Sequence, residues 1–263
     1  MSIYFYLPLV TLAVIAGFMT IIWAIAQTIR NYSIVDVFWA FNFAIIALMI
    51  YSMATGLEER RLLICSLAGL WSLRLGTYLS LRVFSHIQEE EGRYKQLREE
   101  WKDHLFLKFF LFFQMQGVSN VFLAIPYFLI ALNPDPQLHT LEYIGAGMWL
   151  LSIIGEAISD FQLAAFRRKP ENKGKVCDVG LWYYSRHPNY FFQFMIWVSV
   201  FVFAVSSPYG WISIVCPITI AYLIFKVTGI PMTEEQSLKS RGDAYRRYQQ
   251  TTSIFVPWFK KSV

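Results

Sequence analysis

Gly180-Leu181-Trp182-Tyr183-Tyr184-Ser185-Arg186-His187-Pro188-Asn189-Tyr190 decides the reading of this chain, because an apolar run opens immediately after it at Phe191. An arginine, a histidine, an asparagine and three tyrosines sit within these few positions. Charge and hydrogen-bonding capacity are costly beside hydrocarbon, so such a cluster at the edge of an apolar run marks a site. The block also sits at the expected start of a helix, whose free N–H groups favour anions.

The rest of the chain agrees with a membrane setting. Of its 263 residues, 56% are hydrophobic, 18% aromatic and only 16% charged. Soluble domains carry about 25% charged residues. Mean hydropathy is +0.42. No leader-type pattern opens the chain, so the first apolar run is expected to be retained. The net charge of +5 fits basic cytoplasmic loops better than nucleic-acid binding. Cys65, Cys177 and Cys216 are widely spaced. They imply neither a metal site nor a disulfide framework and read as small buried hydrophobes.

Seven apolar runs have the length a span needs, near Leu7–Ala26, Val35–Met53, Leu62–Leu81, Leu105–Leu132, Leu141–Leu163, Tyr190–Val205 and Trp211–Val227. Pro126 predicts a kink in the fourth. The fold class expected is all-α, a polytopic integral membrane protein of about seven transmembrane helices. Residues 1–263 read as a single membrane domain with a cap formed by two loops and the tail. Lys and Arg concentrate in 82–104, 164–188 and the tail after Val227, while 133–140 and 206–210 have none. That alternation puts the N-terminus outside and the C-terminus in the cytoplasm. Arg60 and Arg61 lie on the expected outer side and run against it.

Polar residues form stripes inside the spans. Trp71, Arg74, Tyr78 and Arg82 recur at offsets of three and four, hence on one helix face. Arg74 is expected to line a cavity, the rival reading being a pair with Asp36 or Glu156. Glu156, Asp160 and Arg167 make a second stripe, followed by Arg168 and Lys169 as an anion-attracting end. Asn189, Gln193 and Trp197 make a third. Gln114, Gln116 and Asn120 read as interhelical hydrogen-bonding groups. Ser33 could cap the second span with Asp36 as its acidic partner, and capping and catalysis are equally open for Asp36. Glu89-Glu90-Glu91 reads as a solvated run leading into Arg93-Tyr94. Gly145 and Gly147 read as close helix-packing positions, since no GxGxxG fingerprint follows a strand. His139 reads as a border residue.

The block Gly180–Tyr190 resembles the signature of integral-membrane steroid 5α-reductases and sterol C14-type reductases. The Ser33–Trp39 block and Arg93-Tyr94 are similar to the bacterial branch of that superfamily. The tail, with Glu234-Glu235, Gly242–Tyr245, Tyr248 and Phe255-Val256-Pro257, resembles its C-terminal pattern. The resemblance implies a multi-helix fold in a bacterial inner membrane that binds NADPH from the cytoplasm. It assigns residues 1–100 to the substrate side and 101–263 to the cofactor-binding part. Asp160 and Arg167 would then lie near the adenosine end, Asn189 would face the cofactor, and Arg74 and Tyr78 would approach it. Arg93, Arg168, Tyr184, Arg186, His187, Tyr190, Glu235, Tyr245 and Tyr248 complete the expected cofactor site. The superfamily's Gln-Glu pair is missing from the first two spans, Trp71 falls where a Tyr is expected, and Gln193 replaces a Glu.

The implied reaction saturates a carbon–carbon double bond conjugated to a ketone in a steroid-like or other lipid enone. Hydride goes to the β-carbon and a proton to the α-carbon. Tyr94, Tyr78 and Asp36 are the candidates for supplying that proton or polarising the ketone. Membrane lipids and the lipid substrate are the expected partners, with no nucleic acid and no obligate protein partner. Two rivals stand beside this reading. Isoprenylcysteine carboxyl methyltransferases and phospholipid methyltransferases share an Arg-His-Pro-x-Tyr block and would bind S-adenosylmethionine there. A non-catalytic lipid-binding protein could keep the pocket without the chemistry.

Overall fold

The computed structural model describes residues 2–227 and 229–261. It is 78% helical, and no strand occurs among the described residues. Six helices are long and apolar enough to cross a membrane, and a seventh apolar helix, Pro188–Ala204, is shorter. The protein is thus an all-α, polytopic integral membrane protein.

The chain divides into two compact units. One comprises residues up to Leu138 together with Ser206–Gly210, and the other comprises His139–Val205 with Trp211 onwards. The first unit holds α1 (Ile3–Ile29), α2 (Ile34–Met53), α3 (Glu58–Phe84), α4 (Gly92–Glu100), α5 (Leu105–Leu123) and α6 (Ile125–Ala131). Arg30 takes a left-handed conformation, φ +56°, and ends α1 tightly enough for α2 to start four residues later. Glu58 and Glu59 open α3 and Arg82 closes it, which suits the helix dipole at both ends. The kink expected from Pro126 is a break at Ala124 between α5 and α6, since proline cannot donate to the preceding turn. Asn42 donates to Asn120 Oδ1 at 2.7 Å and Asn120 to the Trp39 carbonyl at 3.0 Å, so α2 and α5 are joined by amides, as expected. Gln114 donates to Thr20 Oγ1 at 3.1 Å.

Arg60 is fully buried. Its guanidinium donates to the carbonyls of Asn133, Asp135 and Gln137 at 3.2, 2.7 and 2.5 Å. Arg61 donates to the carbonyls of Tyr51 and Ala54 at 2.8 and 2.9 Å. Arg60 therefore orders the 133–137 segment after α6, and Arg61 the α2–α3 connection.

The second unit holds α7 (Thr140–Arg168), α8 (Leu181–Tyr184), α9 (Pro188–Ala204), α10 (Val215–Tyr222), α11 (Ile230–Arg241) and α12 (Asp243–Thr251). His139 and Glu142 form a reciprocal capping box at the start of α7, so His139 is a cap rather than a mere border residue. The long α7 packs along α9 at two glycines. A Cβ on Gly145 would stand 2.8 Å from Phe203 backbone nitrogen and Ser199 carbonyl oxygen, and one on Gly155 would stand 2.4 Å from the Phe192 ring. Gly147, expected to pack in the same way, faces open space: nothing lies within 4 Å of its Cβ position. The two glycines are two residues apart, roughly 200° around an α-helix, so one helix face cannot hold both. Helix α10 passes into a π-helical turn, Leu223–Val227, before the polar α11.

Candidate functional site

Gly180 takes φ +59°, and a Cβ there would lie 2.4 Å from the Gln162 amide. Gln162 can therefore approach and accept from the Leu181 N–H at 2.8 Å. Trp182 donates from its indole to the Ser159 carbonyl at 2.9 Å. These two bonds fix α8 against α7. Ser185 is extended and pairs with Ser253, the Arg186 N–H donating to the Ser253 carbonyl at 2.8 Å. Pro188 then starts α9 at a position where its missing N–H costs nothing.

Arg186 and His187 are buried and turn toward Glu234 of α11. Arg186 Nε donates to Glu234 Oε1 at 2.7 Å, and its Nη1 donates to the carbonyls of Gln249 and Thr252 at 2.7 and 3.1 Å. His187 Nε2 lies 3.3 Å from the same Oε1. The Gln249 amide donates to Oε2 at 2.8 Å, and the Tyr245 hydroxyl donates to Oε1 at 3.4 Å. Glu234 lies beyond the apolar part of its helix. Burial pushes its carboxyl up, but the His187 and Gln249 hydrogen bonds and the Arg186 charge outweigh burial and hold it at about 2. The Tyr190 ring stacks on His187 with centroids 5.4 Å apart, and its hydroxyl lies 3.4 Å from Thr233 Oγ1. Burial raises the Tyr245 hydroxyl to about 12, with the Glu234 charge adding to it. This is a charge-compensated knot that ties the C-terminal helices to the entry of α9. Beside it, Asn189 donates to Asp160 Oδ1 of α7 at 3.4 Å.

In the first unit a second cluster forms where the 85–104 segment folds over the α1–α2 turn. Tyr94 is fully buried and donates to Asp36 Oδ1 at 2.7 Å. Burial, then the Asp36 charge, raises its hydroxyl well above the ordinary tyrosine range. Arg93 lies over the Tyr94 ring, 5.1 Å from its centroid. Ser33, expected as a cap, makes no capping bond; its Oγ accepts from the Glu91 N–H at 2.9 Å. Glu90, expected in a solvated run, is buried, accepts from the Tyr32 N–H at 2.8 Å and is gripped by Arg98 at 2.9 and 3.0 Å. A buried carboxylate needs such donors, and the tight α1–α2 turn offers one. Arg74 lies 5.9 Å from the centroid of the Tyr78 ring, Trp71 is fully buried against Trp39 and Phe43, and Arg82 pairs with Glu91 at 3.0 Å. The Trp71–Arg82 stripe thus runs from packed aromatics to a surface ion pair.

Comparison with known proteins places this arrangement. Residues 22–252 match a family model described as a protein of unknown function, DUF1295. The chain belongs to the DUF1295 family. A protein of Schizosaccharomyces pombe, described as uncharacterized, is 24% identical to it over 271 aligned residues, covering 90% of this chain and 76% of that protein. No solved structure matches.

Both clusters lie inside the DUF1295 match. Within it, the sequence expectation for Glu235 is corrected. Glu235 is exposed and pairs with Lys239 at 2.6 Å, one turn along the same helix, whereas Glu234 faces Arg186 and His187. The usable signal was Ile230: it is buried, and the residue four positions on shares its face. Tyr248 turns its hydroxyl to the carbonyls of Trp182 and Ser185 and so acts as a clamp on α8. Arg167 and Arg168 are exposed at the end of α7, and Tyr184 is exposed against the Phe259 ring. Arg186 and His187, expected to face phosphate, are engaged by Glu234. Of the arginines expected to face phosphate in this unit, Arg167 and Arg168 stay exposed, two turns beyond Asp160.

Proposed function

We propose that this protein is an NADPH-dependent reductase of the steroid 5α-reductase and sterol reductase kind, saturating a carbon–carbon double bond conjugated to a ketone in a steroid-like or other lipid substrate. One observation carries the reading. Asp160 and Asn189, two of the positions that the resemblance assigns to the cofactor, pair with each other across α7 and α9. The Arg186–His187–Glu234 knot is common to the reductase and methyltransferase patterns and favours neither. Of this pair, Asp160 belongs with Arg167 to the stripe that favours the reductase pattern.

The donor set suits a dinucleotide phosphate. A carboxylate can accept from ribose or amide groups, the Asn189 amide can both donate and accept, and Arg167 and Arg168 on the α7 end suit a phosphate. When bound, NADPH supplies a hydride. The chain's own residues would then hold the ketone and deliver one proton. Tyr94 is the favoured donor: burial keeps its phenol protonated, and its O–H, which here donates to Asp36, would turn to the substrate to deliver the proton. Asp36 and Tyr78 remain in supporting positions. In the same reading the protein sits in a bacterial inner membrane with its basic segments and C-terminus in the cytoplasm and its N-terminus outside.

The test is thermal stability of the purified full-length protein titrated separately with NADPH and with S-adenosylmethionine. The reductase reading expects a rise in Tm with NADPH alone, and NADPH oxidation on adding a 3-oxo-4-ene steroid. Stabilisation by S-adenosylmethionine alone selects the methyltransferase. NADPH binding with no turnover on any conjugated lipid ketone selects the non-catalytic lipid-binding protein.

A further inference from the structure

Beyond α12 the chain runs without helix through Ser253–Lys261, bending at residues 254–256, and its backbone is held. Arg186 N–H donates to the Ser253 carbonyl, Ser185 Oγ to the Phe255 carbonyl at 2.7 Å, Trp258 N–H to the Tyr184 carbonyl at 2.9 Å and Lys261 N–H to the Thr251 carbonyl at 2.8 Å. Phe255 points inward against the rings of Phe191, Phe194 and Phe225. Ile254, Val256 and Trp258 point outward, with Trp258 68% and Phe259 74% exposed. Tyr183 and Tyr184 are exposed beside them, the Tyr184 ring 6.0 Å from that of Phe259. Large apolar side chains fixed outward on a pinned backbone form a patch that water does not suit.

The position of this patch says what covers it. Its backbone partners, Tyr184–Arg186, stand directly before α9. That helix has 17 residues, hence a length of about 25 Å, against a hydrocarbon core of about 30 Å. A helix this short draws its flanking residues to the hydrocarbon boundary. Tyrosine and tryptophan are favoured at that depth. The adjoining groove is lined by Lys175, Arg247 and Asp178, the last paired with Lys260, beside Thr251, whose carbonyl holds Lys261. The end of the segment is fixed by Lys260, which reaches Asp178 at 2.6 Å and crosses the Tyr183 ring at 4.2 Å. We propose that Ser253–Lys261, with Tyr183 and Tyr184, is an interfacial anchor seated among phospholipids. Its aromatic edge lies at the acyl boundary, and Lys175, Arg247 and Lys261 face lipid phosphates. The anchor completes the thickness that α9 lacks and does not depend on which reaction the protein performs.

The experiment uses the full-length chain in nanodiscs of phosphatidylcholine and phosphatidylglycerol. Trp258→Cys, Val256→Cys, Phe259→Cys and Arg247→Cys are each labelled with a nitroxide; the three native cysteines are buried, and unsubstituted protein controls for their labelling. Power saturation then compares dissolved oxygen, which concentrates in the bilayer, with a water-soluble nickel chelate. Positions 256, 258 and 259 are expected to favour oxygen severalfold over nickel, and position 247 the reverse. Nickel accessibility at 258 and 259 equal to that at 247 would overturn the anchor. So would shielding from both reagents with concentration-dependent dipolar broadening, which would put a second copy of the chain there. Three independent reporter positions keep the result readable if one variant fails to fold.

Discussion

Glu234 is held between opposed demands: burial disfavours its charge, while His187, Gln249 and Arg186 favour it. The net result is a carboxyl at about 2 against an ordinary 4.5. The folded state therefore binds fewer protons than the unfolded state between those values. Its stabilisation is fully present above about pH 5 and is lost as pH falls toward 2, a contribution of at most about 3 kcal/mol at 1.36 kcal/mol per unit. Thermal melts of Glu234→Gln across this window should show a lower Tm near neutrality and a flatter acid limb than the parent. Two further expectations rest on the proposed reaction. Tyr94→Phe should lower the rate of enone reduction by about 100-fold with little change in KM for NADPH; an unchanged kcat would place proton donation elsewhere. Arg167→Ala should weaken NADPH more than NADH in a binding titration if this arginine meets the 2′-phosphate, and equal weakening would remove it from that role. Residue identities around Arg186, His187 and Asn189 were legible because charge beside an apolar run has few bland explanations. The choice between Glu234 and Glu235 was not, because two adjacent acids differ only in helix phase, and the phase of α11 depends on the turn before it.

At the scale of elements, the apolar runs located the first five long helices to within five residues and the shorter Pro188–Ala204 to within two, while the last long apolar stretch runs on to Arg241, beyond the expected Val227. Pro126 marked the α5–α6 break because its cause is local to the chain. Ser33 and Glu90 escaped for the opposite reason: their partners, Glu91 and Arg98 with Tyr32, depend on how a loop folds over a turn, which spacing along one helix does not record. The glycines of α7 divide in the same way. Gly145→Ala forces a methyl group against α9 backbone and should cost about 1–3 kcal/mol. Gly147→Ala meets nothing within 4 Å and should match or exceed the parent, since alanine favours helix. Comparing their melting temperatures in one detergent checks the α7–α9 seam directly.

For the whole molecule, the proposed cytoplasmic placement of the C-terminus predicts that a fluorescent protein fused after Val263 fluoresces in cells. Alkaline phosphatase placed in the 133–140 loop should be active. The opposite pair of results would invert the topology. Composition and loop charge carried the reading this far, but they were silent on Arg60 and Arg61, which looked like misplaced loop charges. Arg60 instead serves as the core of a carbonyl cage whose members lie 73, 75 and 77 positions later in the chain. During synthesis, the first three helices must therefore wait in the translocon or the bilayer with this guanidinium lacking those acceptors until residues 133–137 have been made. A nascent chain arrested before Asn133 would hold the right helices yet be unable to close the end of the bundle where Arg60 sits, which makes it a natural substrate for membrane quality control.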